Sequence, residues 1–153
     1  MKIKEWLKAL FLKLVKTNDT PHRIALGFAI GIFYGLFPFV GVLFTILTAI
    51  LLKGNKVTAL IGCFVTNTWL SVVLALPSVK VGSKIFGLDW KVVWSDMLCY
   101  LKISNVNDFF RAASSDVIIP SLVGFLTIAL SISLLSYLIV IFFIIRHRSR
   151  KTV

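Results

Sequence analysis

Residues 24–52 run for 29 positions without a charge, and Gly35-Leu36-Phe37-Pro38-Phe39-Val40-Gly41 interrupts the run near its middle. A stretch of this length suits a bilayer, whose hydrocarbon core of about 30 Å takes about 20 helical residues. Proline removes a backbone donor and clashes with the preceding turn, so the run reads as two half-length helices rather than one span. Irregular backbone at membrane depth is tolerated only where protein or a water-filled cavity surrounds it. The break therefore argues against a simple anchor.

The chain of 153 residues is 58% hydrophobic, with a mean hydropathy of +0.95. Soluble domains are about 45–50% apolar, so the reading is a polytopic all-α membrane protein. Its net charge of +11 does not imply nucleic acid, because the Lys and Arg residues cluster at the ends and in short connections rather than over a polar face. Cys63 lies in an apolar run and Cys99 in a polar one, and neither suggests a disulfide or a metal site.

Residues 1–19 form a basic segment. Ile3, Trp6, Leu7, Leu10, Phe11, Leu14 and Val15 share one half of a helical wheel, and Lys2, Glu5, Lys8, Lys13 and Lys16 share the other. This pattern predicts an amphipathic helix in the headgroup plane, its lysines toward anionic lipid headgroups. A cleaved signal is the competing reading, but lysines interrupt its apolar core. Thr20-Pro21 then supplies a capping hydroxyl and a first-turn proline. Gly27, Gly31 and Gly35 recur every four residues and present a face for close helix packing, the alternative being a ligand-facing role. After Pro38 a second apolar piece runs to Leu52, and Lys53-Gly54-Asn55-Lys56 reads as a turn with Gly54 in a left-handed cap.

Residues 57–79 are long enough for one transmembrane helix, with Thr66-Asn67-Thr68 near the middle. An amide at that depth needs a partner. Asn67 is expected against the Pro38 region, either as an interhelical bond or as part of a polar site with Gly35, Gly41, Thr45 and Thr66. Residues 80–116 read as a loop outside the cytoplasm. Asp89 caps an interfacial helix there through Trp90, Val93, Trp94, Met97, Leu98 and Leu101, with Tyr100 among its aromatics, a soluble partner-binding loop being the alternative. Residues 117–145 are a transmembrane helix that stops at the basic 146–153 tail.

Both ends are basic, which predicts that both are cytoplasmic and that the number of crossings is even. Three apolar runs meet that condition if one goes in and returns. Each half of 20–53 is too short to span, so this segment is expected to be a re-entrant hairpin.

The sequence Thr20-Pro21-His22-Arg23-Ile24-Ala25-Leu26-Gly27-Phe28-Ala29-Ile30-Gly31 is followed by the Phe37-Pro38-Phe39-Val40-Gly41 break, Asn67 and Pro77-Ser78-Val79-Lys80-Val81-Gly82. Together these resemble the bacterial membrane family catalogued as domain of unknown function 2062, over roughly residues 20–145. Thr68 stands where members of that family usually have proline after the asparagine. The resemblance implies a multi-pass protein of the bacterial inner membrane. Some relatives are joined to glycosyltransferase-like domains, which implies a partner in envelope lipid or glycan biosynthesis; no activity comes with the family.

The apolar runs carry no Asp, Glu, His, Lys or Arg, and acid-base catalysis needs such groups beside the substrate. No catalytic, cofactor-binding or metal-ligating residue is therefore assigned, and an enzyme is not expected. Asp19 and His22 suggest capping and surface roles rather than a catalytic pair. Two functions stay open. One is a transporter, or a subunit of one, for a small or lipid-linked solute, since interrupted helices expose backbone groups that hold ligands; it would need a homo-oligomer, for which Gly27, Gly31 and Gly35 offer a face. The other is a non-catalytic scaffold that organises lipid or an envelope enzyme.

Overall fold

The computed structural model describes residues 19–37, 41–66, 68–100 and 117–149. The expected amphipathic helix of residues 1–19 falls almost wholly outside these, as do Pro38, Asn67 and the 150–153 end of the tail. Among the described residues the chain forms six helices and no strand: α1 (Pro21–Gly35), α2 (Gly41–Leu51), α3 (Lys56–Val65), α4 (Thr68–Phe86), α5 (Trp90–Tyr100) and α6 (Ile118–Ser149). They divide into two compact units, Met1–Thr68 with Ser131–Val153, and Trp69–Leu130.

In the first unit, Thr20 caps α1 by accepting from the Arg23 amide at 3.4 Å, with Pro21 in the first turn. The helix stops at Gly35, ahead of the residue before Pro38, where proline disfavours helical backbone. Tyr34 meets both Gly41 and the Phe44 ring at the far end, and Arg23 meets Lys53 at the near end, so α1 and α2 run antiparallel. At about 1.5 Å per residue, their 15 and 11 residues give helices of about 22 and 16 Å, both short of a hydrocarbon core.

A Schellman pair closes α2, the amides of Lys53 and Gly54 donating to Ile50 O at 3.1 Å and Ala49 O at 2.8 Å. Here the structure corrects the sequence reading, because Lys53 and not Gly54 adopts the left-handed conformation (φ 56°). Gly54 is needed for a different reason: a Cβ there would lie 3.3 Å from Gly27 N.

Helix α3 returns parallel to α1, and their contact is made by backbone. A Cβ on Gly27 would fall on Asn55 O and the Thr58 hydroxyl, one on Gly31 on Ala59 O, and one on Gly35 on Thr66 Oγ1; Gly62 answers from α3 against Phe28 O. The last part of α6 packs antiparallel along α1. Ser133 Oγ donates to Ala29 O at 2.8 Å, and Ile144 clusters with Ile24, Phe28, Ile61 and Val140.

The expected single helix over 57–79 is not formed. Helix α3 ends at Val65, Thr66 is extended (φ −87°, ψ 110°), and α4 begins afresh at Thr68. The Thr66 hydroxyl donates to Gly62 O at 3.0 Å. The same bond forms inside unbroken helices at Thr45 and Ser78, so it accompanies this helix end rather than causing it; a count of apolar residues does not register where the backbone turns. Helix α4 then continues to Phe86, through what was read as the start of a loop.

In the second unit, Gly82 lies against Pro120 O and Gly124 against Ser78 O, which brings α4 and the first part of α6 to backbone contact. Asp89 begins α5, its carboxylate accepting from Lys91 N at 3.0 Å. The apolar face of α5 does not lie free: Val93 is buried with Val79 and Val117, and Trp90, Trp94 and Met97 pack against them. Helix α6 runs past the apolar stretch to Ser149. Its portion Ile118–His147, with a hydropathy of 2.8, is the one helix among the described residues that is by itself long and apolar enough to cross a membrane; Lys56–Val65 with Leu70–Phe86, taken as one broken span, makes a second.

Candidate functional site

The sequence points to the hairpin tip. There the structure brings together Gly35, Gly41, Thr45 and Thr66, whereas Pro38 and Asn67, and the contact expected between them, lie outside the described residues. Thr45 is fully buried and donates to Gly41 O at 2.6 Å. Thr66 is buried and donates to Gly62 O and Cys63 O, at 3.0 and 3.3 Å. Each hydroxyl proton is thus committed to its own helix. A Cβ on Gly41 would lie 2.5 Å from Tyr34 O, and one on Gly35 would overlap Thr66 Oγ1. The described residues on either side of the tip approach backbone to backbone, and these hydroxyls bond carbonyls of their own helices.

The densest polar arrangement lies at the opposite end, where the chain enters and leaves the hairpin. Arg23 Nη1 bonds Asp19 Oδ1 at 2.8 Å, and Arg23 Nε donates to Lys53 O at 2.8 Å. The other Asp19 oxygen accepts from Asn55 Nδ2 at 2.9 Å. Asn55 N donates to Arg23 O at 2.9 Å, and its side-chain oxygen caps α3 by accepting from Thr58 N at 3.0 Å. Thr58 Oγ1, fully buried, reaches Ile24 O at 3.1 Å.

One guanidinium, one carboxylate and one amide therefore clasp the start of α1, the end of α2 and the start of α3. The ion pair is partly exposed (48% and 20%) and contributes little by its charges alone. What it supplies is directed partners for backbone groups that helix ends leave unmatched. Beside the clasp His22 Nδ1 pairs with the Tyr137 hydroxyl at 2.8 Å, so Asp19 and His22 have separate partners and do not form a dyad.

Sequence reasoning missed Asn55, which it placed in a turn. The signal was present: an asparagine one residue before a helix start is a preferred cap. It also offered Gly27, Gly31 and Gly35 as a face for a second copy, and within the chain that face is covered by α3. Among the described residues no three His, Cys, Asp or Glu side chains converge as metal ligands would.

A family model described as "Uncharacterized protein conserved in bacteria (DUF2062)" matches residues 4–152. No curated protein and no protein of solved structure matches.

Proposed function

The chain belongs to this bacterial family of uncharacterized proteins (DUF2062), and on that premise we propose that it is a non-catalytic scaffold of the bacterial inner membrane that organises lipid or an envelope-biosynthesis enzyme beside it. What supports this reading is a helical hairpin clasped where the chain enters and leaves it, which together with α6 presents an apolar surface. Leu43, Leu51, Leu134 and Phe142 are exposed by 60–71%, and exposed apolar area of this kind suits lipid or a partner. Transport through the tip has less support, because Thr45 and Thr66, offered above as part of a polar site, are buried against neighbouring backbone.

In this reading residues 20–53 are a re-entrant hairpin with its clasp on the cytoplasmic side. Helices α3 and α4 together lead outward, α5 lies on the outer side, and α6 returns to a cytoplasmic tail. Impermeant thiol labelling of intact cells tests it, with Lys56→Cys and, separately, Lys91→Cys in a background lacking Cys63 and Cys99. Position 91 is expected to react and position 56 to be shielded. Reaction at 56 from outside would overturn the hairpin.

Scaffold and transporter are separated by Gly41→Leu. The added side chain meets Tyr34 O, so the amount of folded protein should fall, and the envelope phenotype of a deletion strain should return in proportion. Lost function at undiminished abundance would favour a transport site instead.

A further inference from the structure

The turn between α2 and α3 has two faces of different chemistry. On the inner face Gly54 and Asn55 are buried. Asn55 N donates to Arg23 O at 2.9 Å, and Lys53 O accepts from Arg23 Nε at 2.8 Å, so the backbone of the turn is fixed against the start of α1. On the outer face Leu51, Leu52 and Val57 are exposed by 52–71%, and Lys53 and Lys56, which lie between Leu52 and Val57 in the chain, are exposed with them.

The apolar part of this surface extends beyond the turn. Leu43, Leu47 and Ile50 are exposed as well, and their spacing with Leu51 places them on one face of α2, opposite the buried Gly41, Thr45 and Ala49. From Leu43 to Leu51 this stripe covers about 12 Å, at about 1.5 Å per residue, and it ends at the two lysines. Their charge is not met within the unit. Among its described residues Asp19 is the one acid, and its two oxygens accept from Arg23 Nη1 and Asn55 Nδ2.

An acidic soluble partner would answer the lysines and leave the aliphatic stripe that runs into them uncovered. An anionic bilayer surface answers both. Leu51, Leu52 and Val57 enter the edge of the hydrocarbon, and the lysine stems lie along it while their ammonium groups reach the headgroups, where negative lipid attracts them. We infer that the α2–α3 turn binds the phosphate of an anionic phospholipid through Lys53 and Lys56, with Leu52 and Val57 against the first carbons of its acyl chains. The inference rests on the membrane scaffold proposed above and names the lipid class and the residues that hold it.

The test places the full chain in phosphatidylcholine vesicles with a trace of phosphatidylglycerol that carries a diazirine near the carboxyl end of its acyl chain or, separately, at the methyl end. The first probe is expected to label Leu52 and Val57 severalfold above Leu43, and the second to reverse that order. Unlabelled phosphatidylglycerol should compete the Leu52 and Val57 adducts away, and further phosphatidylcholine should not. Lys53→Asn, an exchange suited to left-handed backbone, combined with Lys56→Gln should lower these adducts about 25-fold, about fivefold for each lysine at a membrane surface. Lys91→Gln, in the other unit, should leave them unchanged. Equal labelling by a phosphatidylcholine probe, the same depth order from both probes, or adducts indifferent to the lysine pair would overturn the inference. A chain that does not float with the vesicles would instead refute the membrane reading beneath it.

Discussion

Gly31→Leu is expected to abolish accumulation of the folded protein. A Cβ at position 31 would overlap Ala59 O and lie 2.7 Å from Cys63 N, both backbone atoms of α3. A flexible side chain could swing aside, but a helix backbone cannot, so α1 and α3 must separate. Overpacking a well-filled interior typically costs about 1–3 kcal/mol and occasionally more. The upper end applies here, because separation also loosens Gly27 and Gly35 on the same seam. In the membrane placement proposed above, helices associate through close packing rather than through exclusion of water, so nothing compensates for the lost contact. Gly31→Ala should already lower the melting temperature of the detergent-solubilised protein, measured by fluorescence-detected size exclusion after heating, and Gly31→Leu should leave no folded peak. A substitution of like size at Leu43, which is 70% exposed, serves as the control and should be silent. A folded Gly31→Leu protein with unchanged melting would mean that α1 and α3 do not meet along this face.

What was legible in the sequence followed from local chemistry. Thr20 and Pro21 open α1, and Asp89 opens α5, because a capping oxygen acts within three residues of itself. The break between Gly35 and Gly41 was legible for the same reason. Segment 57–79 misled because its apolar character is continuous while its backbone is not: Thr66 is extended. Lys53 misled in the opposite way, since Gly54 looked like the residue for the left-handed position. The helix end puts Lys53 in that position, its amide and that of Gly54 closing the turn, while Gly54 serves the close approach to Gly27. The seam of Gly82 and Gly124 and the pairing of Asp19 with Asn55 were beyond reach, because each joins residues 36 or more apart whose alignment depends on how the helices pack.

The clasp makes the second large prediction, and a series at Asn55 separates its parts. Asn55 caps α3 through its side-chain oxygen and reaches Asp19 through its amide nitrogen, so Asn55→Leu removes both at a position only 9% exposed. Loss of a helix cap costs about 0.5–2 kcal/mol, and a hydrogen bond to a charged group contributes about 1.5–3 kcal/mol. The partial exposure of Asp19, and its remaining bond to Arg23, place the sum near the lower end, at about 2–3 kcal/mol. Asn55→Ser keeps a capping oxygen but cannot extend an amide to Asp19, so it should lose about half of that. Asn55→Asp keeps the cap and sets a second carboxylate against Asp19, which makes it worse than serine and sensitive to ionic strength, because salt screens like charges near the surface. Asp19→Asn added to Asn55→Asp should recover most of the difference, since an amide again faces a carboxylate with the roles exchanged. Thermal unfolding of the four variants at low and high salt measures the series. If serine and aspartate proved equal at every salt concentration, Asn55 would act as a cap alone, and the entry and exit of the hairpin would be held by Arg23 and the Lys53 carbonyl without it.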